Sequence, residues 1–219
     1  MKVLITGTSS GIGKATAIKF LQEGHKVIGF DCKESAIADP FYTHYTLDVA
    51  KDELPDITDI EVLVNNAGTV DENRAIEVNA KSYIKIAEKY AFQPMIKSVV
   101  NVASISAHTG IDDPYYSASQ GARISYTKNL AIRLGHLYKA TVNSISPGAV
   151  MTGLEPELYA DEDLVNAVAN ENLLKKWIPA DEIADFIYFF GVINKSATGI
   201  DVLVDAGEMA NYNFISTRS

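Results

Sequence analysis

The feature that most constrains this chain is the run Val3-Leu4-Ile5 followed at once by Thr6-Gly7-Thr8-Ser9-Ser10-Gly11-Ile12-Gly13. A short run that is apolar on both faces suits a strand buried on both sides. A glycine-rich turn directly after it folds the chain back into a helix over residues 12–23, in which Ala17, Phe20 and Leu21 fall at i, i+3 and i+4.

The alternation repeats along the chain. Val27-Ile28-Gly29-Phe30, Val62-Leu63-Val64, Val99-Val100, Val142 to Ile145 and Val202-Leu203-Val204 predict further strands, and residues 72–90, 115–136 and 179–190 predict helices. Alternating strands and helices imply an α/β fold, a parallel sheet of about seven strands with helices on both faces. Tyr42 to Leu47 predicts a weaker strand, and residues 33–41 before it leave little room for a full crossover helix. No repeat or linker divides the chain, and 219 residues with 47% hydrophobic content fill one core rather than two. A single domain over 1–219 is expected. Residues 153–175, acidic and containing Pro156, break the alternation and predict a helical lid. Leu154, Leu158, Tyr159, Leu164, Val168 and Trp177 form either its apolar cover or the packed face of an ordinary helix.

Charge narrows the partners. A net charge of −9 repels the nucleic-acid backbone, so no nucleic-acid partner is expected. No apolar stretch approaches the roughly 18 residues of a membrane span, and the N-terminus runs into the first strand without the longer apolar segment of a signal peptide. A lone cysteine, Cys32, excludes an intramolecular disulfide and suits a reducing, cytoplasmic setting; it reads as an ordinary packing residue. His25, His44, His108 and His136 are scattered singly, and no metal is expected.

The chemistry begins at the turn. Glycines at 7, 11 and 13 let backbone approach a pyrophosphate, and the amides of Ser9, Ser10 and Ile12 at a helix start favour its charge, although a glycine-rich loop can also be only a loop. Asp31 closes the second strand 18 residues after Gly13, where a carboxylate accepts from ribose hydroxyls and repels a 2′-phosphate. NAD is favoured over NADP, with Lys33 close enough to leave some NADP use open, and with a turn-serving aspartate as the plainer alternative.

These residues resemble the short-chain dehydrogenase/reductase family, and the resemblance continues through Asn65-Asn66-Ala67-Gly68, Asn101-Val102-Ala103-Ser104, Tyr116-Ser117-Ala118-Ser119-Gln120, Pro147-Gly148 and Asp205-Ala206-Gly207. It implies a doubly wound Rossmann domain. It places Asp48 and Val49 at the adenine, Asn66, Ala67 and Gly68 beside the cofactor, and Pro147, Gly148, Val150 and Thr152 at the nicotinamide. It makes Tyr116 the acid/base, Ser104 the group polarising the substrate oxygen, and Asn79 a support for a relay water. It also implies a homotetramer or homodimer formed through the helices near 72–90 and 115–136 and the last strand.

One member of the resembled set is missing. The family carries a lysine four places after the tyrosine, and here that position is Gln120; counting from Tyr115 instead gives Ser119. A cation about 4 Å from a phenol of pKa about 10 favours the phenolate by roughly 3 pK units at an effective dielectric near 20. Glutamine still hydrogen-bonds a ribose but lacks that charge. The change implies surviving cofactor binding with turnover reduced in both directions. Arg123 lies seven residues from Tyr116, about two turns or roughly 10.5 Å of rise, and the spacing argues against it as a replacement cation.

Two functions follow from these residues. One is an NAD-dependent oxidoreductase acting on a small-molecule secondary alcohol or ketone: a hydroxysteroid, a small carbonyl compound or, less compatibly with Asp31, a 3-oxoacyl thioester. The other is a non-catalytic NAD-binding regulatory or scaffold protein. The substrate region is expected over Ser104 and Tyr116, between His108 to Asp113 and the 153–175 segment.

Overall fold

The computed structural model describes residues 1–35, 37–152 and 161–211. Its centre is a seven-stranded sheet in the order β3-β2-β1-β4-β5-β6-β9. The strands are β1 (Lys2–Thr6), β2 (Lys26–Asp31), β3 (Tyr42–Thr46), β4 (Val62–Asn65), β5 (Ser98–Val102), β6 (Thr141–Pro147) and β9 (Asp201–Val204). Every pairing is parallel; Val3 stands beside Val27 on one side and Val62 on the other.

Two cores follow from the period-two alternation of strand side chains. Leu4, Phe30, Leu63, Val99 and Val142 point to one face and pack against Ile86, Tyr90, Leu130 and Leu134. Val3, Ile5, Val64, Val100 and Ile145 point to the other and meet Ala17, Phe20, Ile183 and Ile187. The helices that supply these residues are α1 (Gly11–Gln22), α3 (Tyr83–Tyr90), α5 (Pro114–Tyr138) and α7 (Ala180–Tyr188), with α1 and α7 packed together. The doubly wound α/β architecture read from the sequence is the observed one.

Several local features differ from the sequence reading. The helix expected over 72–90 is a short α2 (Glu72–Ala75), a π-helical segment Ile76–Ser82 and then α3. The last crossover helix passes into a second π-helical segment, Phe189–Ile193. A parallel pair, β7 (Val150–Met151) and β8 (Ile178–Pro179), is too short to leave a period in the sequence. Among the described residues between β2 and β3 there is no helix, in keeping with the short connection expected there. No helix among the described residues is long and apolar enough to cross a membrane.

The proposed lid is described in part. Residues 153–160, with Leu154, Leu158 and Tyr159, lie outside the described residues. The segment α6 (Glu162–Glu171) is helical but has no buried residue, and Leu164 is 39% exposed, so this is not the packed face of an ordinary core helix. The Trp177 indole donates to the Val165 carbonyl at 2.9 Å and ties α6 to the strand behind it. The remaining short helix is α4 (Ser106–Thr109).

Candidate active site

Strand order reverses beside β1, with β2 on one side and β4 on the other, and a parallel sheet opens a crevice at the carboxyl ends of its strands there. The turn after β1 forms its floor. Gly7 has φ +79° and Gly11 φ +52°, values that disfavour side chains. A Cβ on Gly13 would lie 2.0 Å from the Gly7 carbonyl oxygen, so the helix can start this close to the strand only with glycine there. The turn is braced from β4: Thr6 Oγ1 accepts from the Asn66 and Ala67 amides at 3.0 and 2.9 Å, and Asn66 Nδ2 donates to the Thr6 carbonyl at 2.9 Å. Ser10, at the N-cap of α1, makes no side-chain cap bond, which leaves the first helical amides to the crevice.

The cleft over this turn has a volume of about 410 Å³. Gly7, Ser10, Gly11 and Ile12 line its floor, Asp31, Asp48 and Val49 one end, and Asn66, Ala67 and Gly68 the wall. Tyr116, Gln120 and Thr152 lie at the other end. Asp31 is fixed in place, its two oxygens accepting from the Ser9 and Lys33 amides at 2.9 Å each, and each keeps a further acceptor position. Asp48 accepts from Arg74 at 2.7 Å. Burial works against ionised Asp48, but the Ala50 amide and the Arg74 guanidinium outweigh it and hold the carboxyl below its ordinary range.

Other sequence-assigned residues stand behind this wall. Ser9 and Gly13 build the turn without lining the cleft, and neither Pro147, Gly148 nor Val150 forms part of the wall. Pro147 accepts from the Ile105 amide at 3.0 Å, which holds the loop after β6 against the segment that carries Ser104. A Cβ on Gly148 would meet Asp205 Cα at 2.9 Å, so this loop and the one after β9 need glycine to pass.

The cleft also contains residues that the sequence reading did not assign: Cys32, Thr69, Val70, Arg74, Val102, Ala103 and Arg123. Cys32 corrects an expectation, because it is an exposed residue on the cleft wall and not a packed one. Partial desolvation against the wall, followed by the neighbouring Asp31 charge, pushes its thiol upward and away from the reactive thiolate.

At the chemical end, α5 begins with Asp113 as N-cap and Pro114 at its first position. Asp113 accepts from the Tyr115 and Tyr116 amides at 2.8 and 3.2 Å, which sets Tyr116 in the first turn beside the cleft. Ser104 follows β5 by two residues. Its hydroxyl donates to Ser106 Oγ at 3.1 Å, and Ser106 donates onward to Asp112. Ala103 lines the cleft, whereas Ser104 lies just beyond that wall.

Asn79 lies in the π-helical segment and is fully buried. Its side chain clamps the loop after β4, accepting from the Thr69 amide at 2.8 Å and donating to the Thr69 carbonyl at 2.9 Å and to Ser119 at 3.1 Å. Its own carbonyl accepts from Arg123 Nε at 2.8 Å. Asn79 therefore supports the site through Thr69 and Arg123 rather than by facing the cleft.

Gln120 is 2% exposed, and its Oε1 has no hydrogen-bond partner. An orphaned buried acceptor on a cleft wall is costly unless a ligand donates to it. With the glycine cradle and the uncapped helix start, this orphan makes the cleft fit a nicotinamide dinucleotide, which Gly11 and Ile12 would hold at its pyrophosphate, Asp31 and Val49 at its adenosine and Gln120 at its nicotinamide ribose.

Comparisons with known proteins agree with this geometry. A family model described as enoyl-(acyl carrier protein) reductase matches residues 7–208. The L-xylulose reductase of Caenorhabditis elegans is 30% identical over 94% of this chain and 94% of its own. The carbonyl reductase [NADPH] 2 of Sus scrofa is 26% identical over 96% and 97%. Among solved structures, a 4-hydroxyisoleucine dehydrogenase mutant complexed with NADH and succinate superposes with a TM-score of 0.87 at 25% identity, covering 97% of this chain and 100% of that one. The aldohexose dehydrogenase of Thermoplasma acidophilum gives 0.84 at 26%, covering 97% and 95%. Sequence match, sheet order and cleft agree, and the chain belongs to the short-chain dehydrogenase/reductase family of oxidoreductases.

Proposed function

We propose that the chain is an NAD-preferring oxidoreductase that interconverts a secondary alcohol and its ketone. The observation that carries this reading is one cleft whose floor is the glycine turn and whose far end holds Tyr116 beside the unpartnered Gln120 carbonyl. The preference for NAD is supported by Asp31, whose carboxylate is pinned at the adenosine end by two backbone amides and would repel a 2′-phosphate.

The bound nicotinamide supplies or accepts the hydride at substrate carbon. The chain moves the proton. In oxidation the substrate hydroxyl gives its proton to Tyr116 Oη as the C–H bond breaks, and in reduction Tyr116 returns it to the forming alcohol oxygen. Ser104 stabilises charge on that oxygen by turning its one hydroxyl proton from Ser106 Oγ to the substrate, while its own oxygen keeps accepting from the Ser106 amide.

Substrate charge is restricted by carboxylates beyond Ser104. Burial pushes Glu208 upward, reinforced by Glu171, Asp205 and Asp112. These carboxylates lie outside the cleft wall, and their concentration behind Ser104 disfavours an anionic substrate, which supports a small uncharged carbonyl compound over an acyl thioester carrier. The same reading includes a homodimer or homotetramer built through α3, α5 and β9.

The test is an initial-rate assay of NADH formation with uncharged secondary alcohols between pH 7 and 10. Turnover that rises with pH and is lost in Tyr116→Phe supports the reading. A flat zero across the panel, with NAD still bound in titration, favours a dinucleotide-binding regulatory protein, the reading that Gln120 keeps open.

A further inference from the structure

The third turn of α5 carries a buried cation that the proposed chemistry has not yet used. Arg123 is 3% exposed and lines the cofactor cleft with Tyr116 and Gln120. Its Nε donates to the Asn79 carbonyl at 2.8 Å, Nη1 to the Val102 carbonyl at 2.5 Å, and Nη2 to the Ala67 carbonyl at 2.7 Å and Asn79 Oδ1 at 3.4 Å. The guanidinium lies 4.5 Å from the centre of the Tyr83 ring. Gly68 is shaped around it, since a Cβ there would lie 3.2 Å from Nη2.

All of these acceptors are neutral. No ion pair among the described residues includes Arg123. A guanidinium buried without a counter-charge is costly, and it favours any anion that forms within reach. Tyr83 packs against it, and Tyr116 stands on the same helix and the same cleft wall. Tyr83 is fully buried and pushed far up by desolvation, so it stays neutral. Tyr116 is the phenol left to carry negative charge.

We propose that Arg123 is the positioning residue that supplies, from one helical turn beyond Gln120, the positive charge that favours the ionised Tyr116 phenol. Gln120 then keeps only the ribose contact, and the two tasks that lysine performs in the resembled family fall to two side chains. Seven residues of axial rise do not prevent this, because a long helical side chain leans back towards the N-terminus of its helix. Burial pulls the Arg123 guanidinium below its ordinary value, while Tyr83 and Tyr116 pull it back up.

The other charged groups around the pair oppose a phenolate. Asp113, at the head of the Tyr116 helix, and Glu72 act on each other, and Asp112 holds Ser106. Asp201, paired with His108, acts on Tyr83 from β9, and Glu208 adds a carboxyl near Asp112. Of the cations lining the cleft, Arg74 is paired with Asp48 and Lys33 stands at the Asp31 end, so Arg123 is the one on the Tyr116 helix.

This inference rests on Tyr116 acting as acid/base, and its test is separable from turnover. Tyrosinate absorbance is titrated in the parent chain and in Tyr116→Phe, and the difference gives the Tyr116 midpoint. The expected midpoint is about one unit or more below the free phenol at roughly 10. In Arg123→Gln it moves up by a similar amount, and adding Gln120→Lys to that variant brings it back down. A parent midpoint at or above 10 overturns the proposal, as does a folded Arg123→Gln with no shift. Should Arg123→Gln fail to fold, the parent midpoint decides alone. A low midpoint in a protein that turns over nothing would refute the function and leave the charge assignment standing.

Discussion

Gln120 shows how much one residue can carry. Its Oε1 is buried and lacks a partner while the residue lines the cleft, so replacing it with leucine removes the acceptor and the proposed ribose contact together. One net hydrogen bond is worth about 1 kcal/mol, and Gln120→Leu is expected to weaken NADH binding by about fivefold in a fluorescence titration. Tyr116→Phe is expected to leave that affinity within about twofold while lowering turnover by about 10²-fold or more. Equal losses of binding in both variants would contradict the division of labour. The sequence pointed to Tyr116, Ser104 and Gln120 through short motifs, because a reacting atom tolerates few residue types, and the structure sets Tyr116 and Gln120 on the cleft wall with Ser104 just beyond it. It argued against Arg123 at this site, whereas the structure sets Arg123 on the same cleft wall as Tyr116, because residue counting measures rise along the helix axis and not where a long side chain returns.

At the scale of elements, the head of α5 joins stability to chemistry. Asp113 accepts from two first-turn amides, and Asp113→Ala is expected to cost about 1 kcal/mol in a denaturant titration. It should also lower turnover, because the same turn aims Tyr116; full activity with that loss of stability would show that the cap does not position the phenol. A second tie joins α3 to α5, where Glu88 accepts from Arg133 Nη1 and Nη2 at 2.6 and 2.8 Å and from the Tyr126 hydroxyl at 2.7 Å. The Arg133 bond, opposed by burial and aided by Tyr126, holds Glu88 below its ordinary range. A depressed carboxyl stabilises the folded state above its unfolded pKa and loses that contribution as pH falls through its folded one. Glu88→Gln should therefore be less stable than the parent at pH 7, by under about 1 kcal/mol for so exposed a pair, with the difference fading below about pH 4. A difference that persists unchanged at pH 3 would point to packing instead. The strands were legible because burial on both sides writes short apolar runs. The π-helical segment Ile76–Ser82 was not, because a wider turn confined to seven residues is too short for its own period to show in the sequence.

For the whole molecule, the parallel sheet fixes where chemistry can occur before any motif is considered, since the strand order reverses beside β1 and the crevice opens there. Assembly is the property this chain displays least directly in its sequence. Ile132 and Leu137 of α5 are 64% and 61% exposed, and Leu203 of β9 is 41% exposed. An apolar residue on an edge strand and two on a helix favour association between copies. Sedimentation is expected to give a dimer or tetramer that Leu203→Lys shifts towards smaller species; a monomer at micromolar concentration would remove assembly from the account.

The most direct test follows the transferred atom itself. NADH carrying deuterium at both nicotinamide C4 positions is incubated with an uncharged ketone that the enzyme accepts, and the alcohol is analysed by mass spectrometry. One deuterium on the carbinol carbon, reduced by at least a hundredfold in rate in Tyr116→Phe, is the expected result. An unlabelled alcohol, or labelling that proceeds undiminished without the phenol, would contradict the account.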